Sequence, residues 1–153
     1  MFVLHPWSAH RDDIGVPVRS GPADGWHATS ATYPGSAAHI STVRTRLRSL
    51  LAGCPLADDV ILCVSELAAN AAVHSHSARP GGEFTVRAAL SPYRQAWIAV
   101  DDNGGPWVSP ASDAGPDAGR SHGLDIIRAL ASAWGIDGDC DSRSVWARFD
   151  WHL

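Results

Sequence analysis

The chain has 153 residues, a formal net charge of -4, 45% hydrophobic and 18% charged residues, which suits one globular domain with a single core. No basic field points to nucleic acid, and no Lys/Arg cluster marks a membrane surface. The three cysteines, Cys54, Cys63 and Cys140, have no CxxC spacing, which argues against a disulfide framework or zinc knuckle and fits a reducing cytosol.

The first residues, MFVLHPWSAHRDD, hold no sustained apolar run, so neither a signal peptide nor a membrane span is expected, and the protein is read as cytoplasmic. Residues 1–24 carry Pro6, Pro17, Pro22, Gly15 and Gly21 with little periodicity, and form an expected mobile arm before a domain over 25–153. Trp26 to Tyr33 is expected as a strand, since Thr29, Thr32 and Tyr33 favour extended backbone. Pro34-Gly35-Ser36 follows as a turn and helix cap. Ile40, Val43, Leu47, Leu50 and Leu51 then fit a helix over about 37–52, stopped by Gly53 and Pro55.

Asp58 or Asp59 opens a second helix running to about Ser75. Glu83–Leu90 and Ala96–Asp101 are expected strands joined by a turn at Ser91-Pro92. Residues 103–121 have no period and are rich in Gly, Pro, Ser and Asp, as long functional loops are. Gly123–Trp134 is expected as a third helix with Ile126, Ile127, Leu130 and Trp134 inward. Val145–Trp151 alternates like a half-buried strand. This order predicts an α/β (α+β) two-layer sandwich: a mixed, mostly antiparallel sheet covered on one face by about three helices.

The second helix carries two stripes. Val60, Val64, Leu67 and Ala71 face a core, while Glu66, Asn70 and His74 share an adjacent face. Such a polar face can simply be solvated. The small neighbours Ala68, Ala69, Ala71 and Ala72 would also leave room for a ligand to approach. VDDNGGP at Val100–Pro106 puts Asp102 between an apolar strand and paired glycines, which fits an ordinary turn or a carboxylate at a pocket mouth. GRSHGLDII at Gly119–Ile127 takes a glycine-bearing loop into a helix N-terminus, where unpaired amides suit phosphate or only a cap. His74-Ser75-His76 has metal-like spacing, but no third ligand is identifiable.

In this order the three segments resemble a known set. ELAANAAVH (Glu66–His74) resembles the N box of the GHKL ATPases, DNGG (Asp102–Gly105) the G1 box, and HGLDIIRAL (His122–Leu130) the G2 box. The likeness covers about Tyr33 to Trp151 and is nearest to the small bacterial anti-sigma-factor serine/threonine kinases, with their histidine-kinase-like ATPase domain and Bergerat fold. It implies ATP and Mg²⁺ as cofactors, and a sigma factor and an anti-anti-sigma antagonist protein as partners. Nucleic acid and membrane are not expected as partners, and a homodimer is compatible with it.

Residue by residue, the resemblance implies that Asn70 supplies an oxygen to Mg²⁺ and that Glu66 orients or activates the nucleophile. Asp102 would accept the adenine amino group and Gly104 would let backbone pass beside the base. Residues 106–121 would form a lid, and the amides near Gly123 and Leu124 would hold phosphate. Two positions depart from the family pattern: Pro106 stands at a G1 glycine and Ser121 at a G2 glycine. They leave two functions open, a kinase that phosphorylates an antagonist, or a non-catalytic ATP-binding module that sequesters protein partners.

Overall fold

The computed structural model describes residues 27–104, 122–138 and 141–152. The expected arm at 1–24, the expected lid at 106–121 with Pro106 and Ser121, and Cys140 lie outside the described residues.

Strand β1 (His27–Pro34) leads into a short 3-10 turn (Ala37–His39) and helix α1 (Ile40–Leu50). Ser36 caps the turn as its side chain accepts the Ala38 N–H at 3.2 Å. Val43, Leu47 and Leu51 are buried at helical spacing. Beyond the helix, Gly53 takes φ +83°, a left-handed turn that favours glycine.

Helix α2 (Ala57–His74) is the central helix of its layer, packed on strands β2 (Glu83–Ser91) and β3 (Gln95–Asp102) and touching α1 and helix α3 (His122–Leu130). Its expected core stripe is buried at Val60, Val64, Leu67 and Ala71. Asp58 and Asp59 lie in its first turn, where the helix dipole favours carboxylates. Ser65 locks α1 to α2: its hydroxyl donates to the Ile61 carbonyl at 2.7 Å and accepts from Arg44 Nε at 2.9 Å. Among the described residues no helix is long and apolar enough to cross a membrane.

Strands β4 (Ala133–Gly138) and β5 (Arg143–Asp150) complete one sheet, in the order β1-β2-β3-β5-β4 with every neighbouring pair antiparallel. Alternation puts one apolar set from each inner strand in register toward the helices. Val86 stands opposite Val100 and Val100 opposite Val145, while Ile98 lies between Ala88 and Ala147. Phe84 and Phe149 close this core, both essentially unexposed. On the other face Trp97 and Trp146 pack with ring centroids 5.6 Å apart, the Arg148 guanidinium lies over Trp97, and Arg87 pairs with Asp101 at 2.7 Å.

The expected helix over Gly123–Trp134 is too long. Helix α3 stops at Leu130, and Trp134 sits in β4 opposite Ala147. The change of structure is abrupt: the Ala131 amide still bonds the Ile127 carbonyl, while the Ser132 amide already bonds Arg148 on β5. Ile127, Leu130 and Trp134 have helical spacing, but Gly135 is a poor helix residue and β5 supplies a full ladder of partners. Gly135 also meets Trp146 so closely that an added Cβ would lie 2.7 Å from its indole nitrogen. Trp134 still packs against the core margin, from a strand instead of a helix.

Candidate functional site

Asp102 ends β3 two residues after the buried Val100, so it points to the same, helix-covered face. It is 9% exposed. Its Oδ1 accepts the Gly104 N–H at 2.7 Å, closing a tight turn in which Gly104 takes φ +72°. A side chain at Gly104 would strain that backbone, which gives the glycine a structural reason. Across the ladder, Arg143 is the register partner of Asp102 and donates to Oδ2 from Nη2 at 3.0 Å and, more weakly, from Nε at 3.4 Å.

Burial pushes the Asp102 carboxyl above its ordinary value, and the Asp101 charge adds to this. The Gly104 amide and the Arg143 guanidinium oppose the rise by stabilising the charged form. Three of the roughly four lone-pair sites of the carboxylate are thus taken, two on Oδ2 and one on Oδ1, so Oδ1 keeps capacity for another donor. The arrangement is a rigid acceptor at the end of a strand, shielded from water.

A second network fixes the loop that follows. Ser77, fully buried, donates from Oγ to the Glu83 carbonyl at 2.6 Å and accepts the Asn103 N–H at 2.9 Å. Asn103 Oδ1 in turn accepts the Glu83 N–H at 3.1 Å. Ser77 lies in the 3-10 turn His76–Ala78 just past α2. One hydroxyl therefore ties the end of α2, the start of β2 and the loop carrying Gly104.

On α2, Glu66 and Asn70 are half-buried one turn apart. They belong to a stripe of about 100° that also holds Ala69 and the exposed Leu62 and Val73. This is the open face of the helix, opposite the Val60–Val64–Leu67–Ala71 stripe. The alanines divide between the two faces. Ala68, Ala71 and Ala72 are buried and let the helix approach its neighbours closely, so only Ala69 leaves room beside the polar pair. The side chains of His74 and His76 lie outside the description.

Gly123 and Leu124 fall in the first turn of α3, whose leading amides have no partners within the helix. Leu124 is fully buried and anchors that end of α3 in the core. The donor set on α2, a carboxamide and a carboxylate, is of the hard oxygen type that Mg²⁺ takes. Among the described residues no group of three His, Cys, Asp or Glu side chains could hold a metal. Cys54 and Cys63 are free and buried. Burial, then the nearby Asp59 and Glu66 charges, pushes the Cys63 thiol up to about 12, which leaves it unreactive.

Asn103 lies within the DNGG segment, whereas Arg143 and Ser77 carry no signal in the sequence. Arg143 and Ser77 act through strand register and a 3-10 turn, which no short motif announces.

The model of the histidine kinase-like ATPase domain matches residues 33–149. None of the curated proteins matches the chain. Among solved structures, the crystal structure of the RsbU and RsbW domains of Rv1364c from Mycobacterium tuberculosis is similar, with a TM-score of 0.62 and 21% identity. That likeness covers 84% of this chain and 33% of the other, so the chain spans about a third of that structure's length. At this identity the likeness establishes the fold alone, a sheet with one helical layer. With the family model spanning most of its length, the chain belongs to the histidine kinase-like ATPase domain family.

Proposed function

We propose that this protein is a cytoplasmic ATP-binding regulatory kinase of the anti-sigma-factor type, which phosphorylates a Ser or Thr of an antagonist protein and controls a sigma factor. The observation that carries the proposal is the fixed, buried Asp102 acceptor beside Gly104 at the end of β3. An acceptor there suits the 6-amino group of adenine, at whose position guanine carries a carbonyl oxygen. The family match supports ATP as the nucleotide.

On α2, Asn70 would hold Mg²⁺ through its side-chain oxygen, and Glu66 would take or orient the proton of the attacking hydroxyl. Mg²⁺, when bound, supplies charge neutralisation on the phosphates. Amides at Gly123 and Leu124 would hold a phosphate at the positive end of α3. The test is transfer of radiolabel from ATP to candidate antagonist domains of the same genome. Labelling of one of them is the expected result. If none is labelled while the protein still binds ATP and a sigma factor, the protein is a binding module and the kinase proposal fails.

The metal role has its own signature. Asn70→Ala is expected to weaken ATP binding at least about 10-fold in magnesium, the scale of losses around metal sites. In EDTA the loss should be much smaller. Calorimetry under both conditions checks this, with thermal melts in the absence of nucleotide to detect folding damage. An equal loss in both conditions would remove Asn70 from the metal site.

A further inference from the structure

Arg143 is a charged residue 7% exposed, in a chain where it could have been a small strand residue. Its side chain and that of Asp102 are 8% and 6% exposed, and they meet at 3.0 Å. Burying both partners of an ion pair is expensive, and good geometry is needed to offset it. The pair joins the first residue of β5 to the last residue of β3, directly opposite in the ladder. Arg143 approaches Oδ2, while the Gly104 amide holds Oδ1. Both oxygens are thus fixed, and the carboxylate cannot rotate without breaking one of these bonds.

We propose that Arg143 is the positioning residue of the nucleotide-base pocket: its guanidinium holds Asp102 as a fixed, charged acceptor for the base. The proposal rests on the reading of Asp102 as the base-contacting residue. Arg143 acts through Asp102 and supplies no contact of its own to the nucleotide.

The chemistry behind it is a balance. Desolvation alone favours a protonated Asp102, and a protonated carboxyl would present a donor where the amino group of adenine also donates. Among the described residues, the charges acting on Asp102 are Arg143 from β5 and Asp101 from β3, together with the Gly104 amide. Asp101 opposes ionisation, but it lies on the other face of the sheet and is paired with Arg87. Arg143 therefore supplies the opposite charge that keeps the acceptor in its working form.

The sign of the test follows. Removing Arg143 raises the Asp102 titration further, so the acceptor is lost as pH falls. Arg143→Met should bind ATP more weakly than wild type at pH 8 and at least 10-fold more weakly again, relative to wild type, at pH 6. The titration of ATP itself is common to both proteins and cancels in that ratio. Arg143→Lys keeps the charge without the planar fork, so it should restore most of the wild-type response to pH but only part of the affinity.

A carbon-detected NMR titration of the Asp102 carboxyl, without nucleotide, makes the test independent of ATP binding. It should move upward in Arg143→Met and lie between the two in Arg143→Lys. Should the methionine variant not fold, the upward displacement in the lysine variant decides. An unmoved Asp102 titration overturns the proposal, as does an equal loss of ATP affinity at both pH values. Absence of ATP binding by wild type would instead sink the nucleotide reading, leaving the Asp102 titration to decide the role of Arg143 as its positioning residue.

Discussion

Glu66→Gln is expected to keep ATP affinity and to lose phosphoryl transfer by at least about 100-fold, the lower range for a positioned proton acceptor. The amide matches the carboxylate in shape but cannot take a proton. Phosphoryl transfer depends on positioning and charge neutralisation, so the placement of Glu66 matters as much as its chemistry. Glu66 sits one turn before Asn70 on the open stripe of α2. The opposite stripe is fixed in the core by Val60, Val64, Leu67 and Ala71, and Ser65 bonds back to Ile61 and to Arg44 of α1. Such a helix holds two side chains more exactly than a loop could. Radiolabelled ATP with a responsive antagonist protein provides the assay, and calorimetry provides the control for binding. Unchanged transfer would remove Glu66 from catalysis, and a parallel loss of ATP binding would assign it to binding instead.

Gly35→Ala and Gly82→Ala are each expected to destabilise the fold by about 3 kcal/mol or more, at or above the upper range for overpacking. A Cβ on Gly82 or on Gly35 would overlap the Ser77 carbonyl oxygen. The obstacle is backbone, which cannot swing aside as a side chain can. Gly35 and Gly82 also share a hydrogen bond, Gly35 N–H to the Gly82 carbonyl at 2.9 Å. Ser77 is held in turn by Glu83 and Asn103, so displacement there would reach the loop carrying Gly104. Urea unfolding measures the loss, and ATP binding at low temperature should weaken along with it. A variant within 0.5 kcal/mol of wild type, the scatter of ordinary surface substitutions, would show that the clash is relieved cheaply.

The elements set by local periodicity were legible in the sequence. The stripe of α2, the strand from Glu83 and the late strand through Val145 and Phe149 each announce themselves by spacing, because burial selects apolar residues at the period of the element. Trp134 reads as helical in the sequence because its spacing from Leu130 fits a helix equally well, and only the availability of β5 as a partner decides for a strand. The small size of the α2 alanines is legible in the sequence, but only the fold shows that Ala68, Ala71 and Ala72 serve packing. Asp102 and Gly104 stand out in the sequence only through the resemblance of DNGG to the G1 box, since their position after an apolar strand fits an ordinary turn as well. Arg143 does not stand out, since its meeting with Asp102 follows from the register of β3 on β5, a tertiary fact. Ser77 is similar, joining segments 26 residues apart through one hydroxyl.

Calorimetric titration of the wild-type protein with ATP and with GTP, repeated on Asp102→Asn, tests the nucleotide site most directly. A buried hydrogen bond to the adenine amino group is worth about 1–3 kcal/mol, so ATP should bind at least about 5-fold more tightly than GTP. Asp102→Asn should lose most of that preference and weaken ATP, because half of its side-chain head becomes a donor. Equal affinity of the wild type for ATP and GTP, or wild-type ATP affinity in Asp102→Asn, would contradict the assignment of Asp102 as the base acceptor.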